Sequence, residues 1–274
     1  MTPLIRIIHT LGGCGGTILS RCLGVLPRVV LFSEINPLAV KLFETFDPIY
    51  QDRHWHHLLE TPDLERFGAV DLREMAAFRA LIGRFQERAD ALGKYLILRD
   101  YNYVEFVGVP FLENPPRRRM MAKALAQSVP LSALAFIRHP VDQWSSLCKH
   151  EKVRGVLLPR FFLEAYLAFL DDLGDVPLFR YERFVGEPRT ELRRMCDVLS
   201  LEFDPAFEHK FSSYDQVTGD FTRHHERSIA PAPKRLIAAA DLAAFRGDPN
   251  YERVLERTGY SDDLWERGRR DDVG

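Results

Sequence analysis

Two sets of residues in this chain have the types and spacing for chemistry on an anion. The first is a glycine cluster, Gly12, Gly13, Gly15 and Gly16, interrupted by Cys14 and followed by Thr17. Glycines let backbone N–H groups curl around a bound anion without Cβ clashes. A tight turn is the other reading of such a cluster. The nucleotide-hydrolase loop needs Lys-Ser or Lys-Thr after its last glycine, and Gly16-Thr17-Ile18 has no lysine. The dinucleotide fingerprint G-x-G-x-x-G fails as well, because Ile18 stands where its last glycine belongs. The second set is His9, Glu34, Arg99, Asp100, Arg138, Arg180 and Glu182, each at the end of an apolar run. These offer cations for a phosphate and carboxylates or an imidazole for a proton. An ion-pair network at a loop rim is the alternative.

Regular elements must position both sets. Residues 4–8 read as a strand running into the glycine cluster, and Ile18, Cys22, Val25 and Leu26 have helical spacing behind it. That helix turns its positive end toward the loop. Residues 28–35 read as a second strand, and Pro37 opens a predicted helix through Phe46. Residues 47–62 are polar and aromatic, with His54, Trp55, His56 and His57 in a row. They form a loop by this reading, since no acid or cysteine completes a metal-ligand spacing. The pattern predicts one long helix over residues 70–92, closed by Gly93. Strands follow at 94–98, 131–137 and 176–180, with helices starting near Arg117 to Arg119, after Arg138, and over 188–199. Five strands alternating with helices predict an α/β fold: a three-layer, P-loop-like domain with a mainly parallel five-stranded sheet flanked by helices. Ligands of such sheets sit beyond the carboxyl ends of the strands, where the second set lies.

A chain of 274 residues with 46% hydrophobic side chains supports a sizeable core. We read it as one domain over residues 1–274, with a core at about 4–200 and a C-terminal covering loop and helices at about 201–274. A formal charge of −2 argues against nucleic acid as a partner. No window is long and apolar enough for a membrane span. The four cysteines show no C-x-x-C pair, and no basic segment leads into an apolar run at the N-terminus, so a cytoplasmic location is expected.

The segment LAFIRHPVDQWSSLCKH, together with the glycine loop, resembles the sulfotransferase family, which transfers a sulfuryl group from 3′-phosphoadenosine-5′-phosphosulfate (PAPS). The family has an arginine at the end of this strand and a serine eight residues later, and Arg138 and Ser146 match that spacing. The resemblance implies that both contact the 3′-phosphate, while the loop amides of Gly12 to Gly16 and Thr17 hold the 5′-phosphate. A guanidinium fork suits a phosphate dianion. LFRYERFVGEP is similar to a family element that joins strand to helix, placing Arg180, Tyr181 and Glu182. VTGDFTRHHERSIAPAPKR resembles the C-terminal loop of bacterial members, so Gly219, Arg223 and Arg227 are further cofactor-binding candidates.

One departure stands out. Family members carry Lys or Arg just before the Ser-Gly-Thr-Thr of the loop, and Gly13 occupies that place here. Loss of one electrostatic stabiliser of a leaving group typically costs about 3 kcal/mol. Either another cation substitutes, with Arg99 and Arg21 in range, or the enzyme is slow, or the donor differs.

The resemblance further implies PAPS as co-substrate and its desulfonated product, adenosine 3′,5′-bisphosphate (PAP), with no metal, and a small-molecule, carbohydrate or lipid acceptor. In-line attack by an acceptor hydroxyl requires a base near the strand ends. Asp100 is the first choice, Glu34 the second and His9 the third, with a structural hydrogen bond as the alternative for each. A kinase-like phosphotransferase and a nucleotide-binding module without transfer activity are the competing readings.

Overall fold

The structure, a computed structural model, describes residues 3–219, 228–232 and 235–263. Five strands form one sheet in the order β2-β3-β1-β4-β5, all neighbours parallel. They are β1 (Ile5–Thr10), β2 (Val29–Ile35), β3 (Tyr95–Tyr101), β4 (Leu131–Ile137) and β5 (Leu178–Arg180). The α/β, three-layer expectation holds. β1 is buried along its whole length, as a central parallel strand covered on both faces must be.

Side chains alternate across the sheet, and each face has its own apolar cluster. Ile8, Leu31, Ile97 and Phe136 face the helices Gly16–Gly24 and Pro188–Leu199. Ile5, Ile7, Phe32 and Leu98 face Met75–Ala91 and Met120–Leu125. On that same side Ala135 and Ile137 meet Pro159–Leu173, with Phe245 and Val254 of the C-terminal helices packed on it. Arg6, buried in this setting, directs Nε to the carbonyl of Leu199 at 2.6 Å. It thereby caps the C-terminal end of the helix that covers it.

Several local expectations are corrected. Residues 37–42 are consecutive turns rather than the helix expected from Pro37 to Phe46, with a single 3-10 turn at Glu44–Phe46. The cause is local: Asn36 accepts from the Leu38 amide at 3.0 Å, and the Ala39 and Leu42 amides bond three residues back. The helix expected over 70–92 begins only at Met75 and runs to Ala91, because Asp71 accepts from the Arg73 amide in a turn before it; a separate helix, Thr61–Gly68, precedes that turn. Pro159–Leu173, absent from the predicted elements, has Phe162, Leu163, Tyr166, Phe169 and Leu170 on its buried side. β3 runs on past Leu98 through Arg99 and Asp100 to Tyr101, paired with β1 at Thr10. This extension puts Arg99 and Asp100 on opposite faces of the sheet. No helix among the described residues is long and apolar enough to cross a membrane.

Candidate active site

From β1 the chain crosses to the β2 side of the sheet, while β4 leads on to β5 on the other side. The carboxyl ends of β1 and β4 therefore flank a topological switch point, where open α/β sheets bind ligands. A cavity of about 930 Å³ opens there. Its walls include Thr10, Gly12 to Thr17, Glu34, Arg99, Arg138, Ser146, Tyr181, Gly219 and Arg235.

The glycine cluster links β1 to the Gly16–Gly24 helix and brings the helix N-terminus to the cavity. Its conformation depends on glycine at two points. At Gly13 φ is +67°, and a Cβ would stand 2.8 Å from the backbone oxygen of Gln143. At Gly15 φ is +88°, and a Cβ would stand 2.5 Å from the Tyr181 ring. Cys14 turns its side chain into the core, where burial pushes the thiol up to about 11, so it is a neutral packing group beside the loop backbone. Gln143, which the sequence reading did not single out, ties the two halves of the site together. Its amide donates to the Gly12 carbonyl at 2.8 Å, and its oxygen accepts from the Arg138 amide at 3.3 Å.

Arg138 leaves β4 and lays its guanidinium over the Tyr181 ring, 4.7 Å from the centroid. Arg138 is 8% exposed, and its buried Nε has no hydrogen-bond partner among the described residues. Tyr166 holds the Arg138 carbonyl at 2.9 Å from behind. Ser146 lies in the second turn of the helix Pro140–Leu147 and reaches the same cavity. Arg235 joins them, donating to the Ser145 carbonyl at 3.2 Å. Burial, then the charge of Arg138, lowers the affinity of Arg235 for its proton. Two guanidiniums brought this close repel each other unless an anion sits between them. Arg235 lies within the C-terminal motif, whereas Arg223 and Arg227 lie outside the described residues.

Between loop and sheet, Arg99 takes the place closest to the glycine helix. Its Nη1 donates to Ser20 at 3.2 Å and would stand 3.3 Å from a Cβ on Gly16. Its Nη2 meets Glu34 Oε1 at 2.9 Å and the Thr218 carbonyl at 3.2 Å. Arg21, the other cation in range by sequence, bonds the carbonyls of Ser212 and Tyr214, away from the cavity lining. Glu34 owes its aim to a bulge in β2, where the pairing with β3 shifts between Phe32 and Ile35 and φ of Glu34 is +57°. Gln51 fixes the bulge by bonding both the amide and the carbonyl of Ser33 at 2.7 Å. The Glu34 carboxylate accepts from Arg99 on one oxygen and from the Thr218 hydroxyl, at 2.7 Å, on the other. The segment through Thr218 and Gly219 also covers the loop, since Thr17 donates to the Thr218 carbonyl at 3.2 Å.

Of the three base candidates, Glu34 lines the cavity and Asp100 and His9 do not. Asp100 points to the opposite face from Arg99 and is fully buried. Its oxygens accept from the amides of Asn36 and Asn102, both at 2.8 Å. The Asn102 amide also donates to Glu105 at 2.8 Å, and its oxygen accepts from the Thr10 amide at 3.2 Å. His9 bonds Asn102 Oδ1 through Nδ1 and meets Arg119 through Nε2, each at 3.1 Å. Arg119 has no acceptor, so Nε2 is unprotonated and Nδ1 carries the hydrogen. Burial, then the Arg119 charge, lowers the His9 pKa to about 3. Burial raises both Asp100 and Glu105, and the Asp100 charge raises Glu105 further. This network joins the ends of β1, β2 and β3 from behind the cavity.

The remaining polar candidates are structural. Glu182 accepts from the His139 amide at 3.0 Å and from Tyr260 at 2.5 Å, and Arg180 bonds the Gly259 carbonyl at 2.5 Å. The three histidines diverge: His54 stacks on Tyr50, His56 packs against Phe32, and His57 is the exposed left-handed end of the turn.

No protein-family model and no curated protein matches the chain. Solved structures do. The sulfotransferase domain from the Synechococcus PCC 7002 olefin synthase aligns at TM-score 0.60 and 19% identity, over 95% of this chain and 96% of that one. The sulfotransferase domain from the curacin biosynthetic pathway aligns at TM-score 0.57 and 14% identity, over 94% and 98%. The chain therefore has the fold of these domains over nearly its whole length.

Proposed function

We propose that this chain is a PAPS-dependent sulfotransferase that sulfates an acceptor hydroxyl. The observation that carries the reading is the convergence of two anion subsites on one cavity, the glycine loop after β1 and Arg138 with Ser146 after β4. Two subsites flanking one switch point suit a nucleotide with phosphates at both its 3′ and 5′ positions. The residues present fit that group. Loop amides and the helix N-terminus would hold the 5′-phosphate, and Arg138, whose buried Nε lacks a partner among the described residues, would hold the 3′-phosphate with Ser146. Arg235 adds a second cation there. The shared fold agrees with the reading.

PAPS supplies the sulfuryl group: the acceptor oxygen–sulfur bond forms, the bond from sulfur to the 5′-phosphate oxygen breaks, and PAP leaves. Glu34 takes the acceptor's proton. Its carboxylate lines the cavity and has about four lone-pair sites, of which Arg99 and Thr218 occupy two. Arg99 serves as the loop cation that Gly13 lacks. It stands beside Gly16, at the start of the helix that follows the loop. Being anchored by Glu34, Ser20 and Thr218, it needs no reorganisation when negative charge develops on the leaving oxygen.

Calorimetry with PAP and ADP, without Mg²⁺, tests the assignment on wild type and Arg138→Ala. PAP should bind and ADP should not compete with it. The variant should weaken PAP at least a hundredfold, since a charge-assisted hydrogen bond is worth about 1.5–3 kcal/mol and a bidentate one more. Equal binding of ADP, or indifference to Arg138, would return the site to a kinase-like reading. PAP binding without turnover of PAPS would leave a nucleotide-binding module.

A further inference from the structure

The cavity has a second, chemically different end. Five aromatic rings run in unbroken contact from its mouth toward Glu34. Phe111 meets Phe43 at 5.6 Å, Phe43 meets Phe46 at 4.9 Å, Phe46 meets Tyr101 at 4.9 Å, and Tyr101 meets Tyr103 at 5.6 Å between centroids. All five line the cavity. Phe43, at the mouth, is 46% exposed, a large apolar side chain left open to water. Tyr101 ends β3 on the same face as Arg99, the ion-pair partner of Glu34, and Tyr103 follows it, so the aromatic run passes the proposed base.

We propose that the acceptor is an uncharged hydroxyl compound with a flat aromatic body, bound along this run with its hydroxyl at Glu34. The inference rests on the sulfuryl-transfer reading for its reaction, and on the aromatic wall for its ligand class. The polar side chains of Thr45 and of Lys149 to Lys152 also line the cavity, but a carbohydrate laid along this wall would lose water from several hydroxyls where Phe43, Phe46 and Phe111 offer no hydrogen-bonding atom, at about 1–3 kcal/mol for each group left unmade. The Tyr103 hydroxyl already donates to the Val109 carbonyl at 2.5 Å. An aromatic ring, in contrast, gains edge-to-face and offset contacts in addition to the area it buries. Phe43, Phe46 and Phe111 come from two connecting segments, residues 37–46 after the β2 bulge and 107–111 after the short helix Asn102–Phe106, while Tyr101 and Tyr103 come from the end of β3 and from that helix. The Phe43–Phe111 contact joins these two segments at the cavity mouth.

The test is calorimetry without nucleotide, using 2-naphthol, methyl glucoside and decan-1-ol on wild type, Phe43→Ala and Phe111→Ala, with PAP binding measured in parallel. We expect 2-naphthol to bind more tightly than either other compound, each variant to weaken it about tenfold, and neither to change PAP affinity. Phe43 is half exposed and Phe111 partly so, so both truncations should fold. Methyl glucoside or decan-1-ol binding as tightly as 2-naphthol would overturn the ligand class. So would 2-naphthol affinity that ignores both phenylalanines. Normal PAP binding with no 2-naphthol binding would overturn this inference and leave the donor reading standing. No PAP binding to the wild type, with 2-naphthol still dependent on Phe43, would overturn the donor reading and with it the acceptor role, leaving only the ligand class of the wall.

Discussion

Gly15 and Tyr181 are in contact at the point where the two proposed anion subsites meet: the Cβ that Gly15 lacks would stand 2.5 Å from a Tyr181 ring atom. The same ring carries the Arg138 guanidinium on its face at 4.7 Å, and its hydroxyl accepts from the Ala232 amide at 2.8 Å. The loop after β1 and the cation after β4 are thus set by one aromatic ring. Tyr181 is buried and bonded at its far end, so it has little room to withdraw.

Gly15→Ala should therefore damage the site twice, through strain at φ +88° and through displacement of Tyr181 from beneath Arg138. Backbone strain of this kind costs about 1–3 kcal/mol. PAP affinity should fall at least tenfold, and the unfolding midpoint in urea should drop with it. Tyr181→Phe keeps the ring and should retain PAP affinity within about threefold.

Putting the absent loop cation back should not help. Gly13→Lys would place a Cβ 2.8 Å from the Gln143 backbone oxygen at a φ of +67°, forcing apart the loop and the Pro140–Leu147 helix. PAPS turnover in this variant should be below wild type. Arg99→Lys should also lose turnover, because an ammonium lacks the fork that reaches Ser20, Glu34 and Thr218 together. A Gly13→Lys protein faster than wild type would show that the loop lacks a cation that Arg99 does not replace.

Glu34→Gln separates binding from proton transfer. The amide oxygen can accept from Arg99, and the Thr218 hydroxyl can rotate to accept from the amide nitrogen, so the bulge should persist. kcat should fall by about 10²–10⁴, the usual contribution of a positioned general base. PAP affinity should stay within about threefold. Asp100→Asn should behave in the opposite way. One carboxylate oxygen becomes a donor facing the donor of Asn36 or Asn102, a buried mismatch of about 1–3 kcal/mol. Its signature is a lower urea midpoint with kcat of the folded protein nearly intact.

The same buried network makes stability depend on pH. Asp100 and Glu105 hold their protons more tightly when folded than when unfolded. The folded state then binds more protons, so their contribution is complete below the ordinary carboxylate value of about 4 and declines as pH rises through their raised folded values. His9, lowered to about 3, works in the opposite direction. It contributes fully above about 6.5 and loses that contribution as pH falls toward 3. Above pH 6.5 the carboxylates act alone. Urea unfolding from pH 6.5 to 8 should show stability falling, by up to about 1.4 kcal/mol per pH unit for each proton, and Glu105→Gln should reduce the slope.

Much of the framework was legible because its signals are local. β-branched runs, a glycine cluster and helix-opening prolines act over a few residues. Residues 131–137 and 188–199 appear in the structure with the boundaries read from the chain. The spacing of Arg138 and Ser146 likewise survives folding, since a strand end and the next helix fix it within one unit. Residues 37–46 were misread because the Asn36 side chain, held by Asp100 from another strand, captures the backbone that Pro37 would have started into a helix.

Proton chemistry depended on the tertiary structure. Arg99 and Asp100 are adjacent in sequence and equally polar, and pleating sends them to opposite faces once β3 extends to Tyr101. Only the packing of the Gly16–Gly24 helix on one face makes that face the site, placing Arg99 at the cavity and sealing Asp100 behind it. Glu34 reaches the cavity through a bulge held by Gln51, seventeen positions along the chain by residue number, and by Thr218 from the far C-terminal segment. Chain composition and spacing determined the layered fold and the polar ends of its strands. Which acid faces the cavity was decided by contacts between residues distant in sequence, because burial and side-chain direction are properties of the packed sheet.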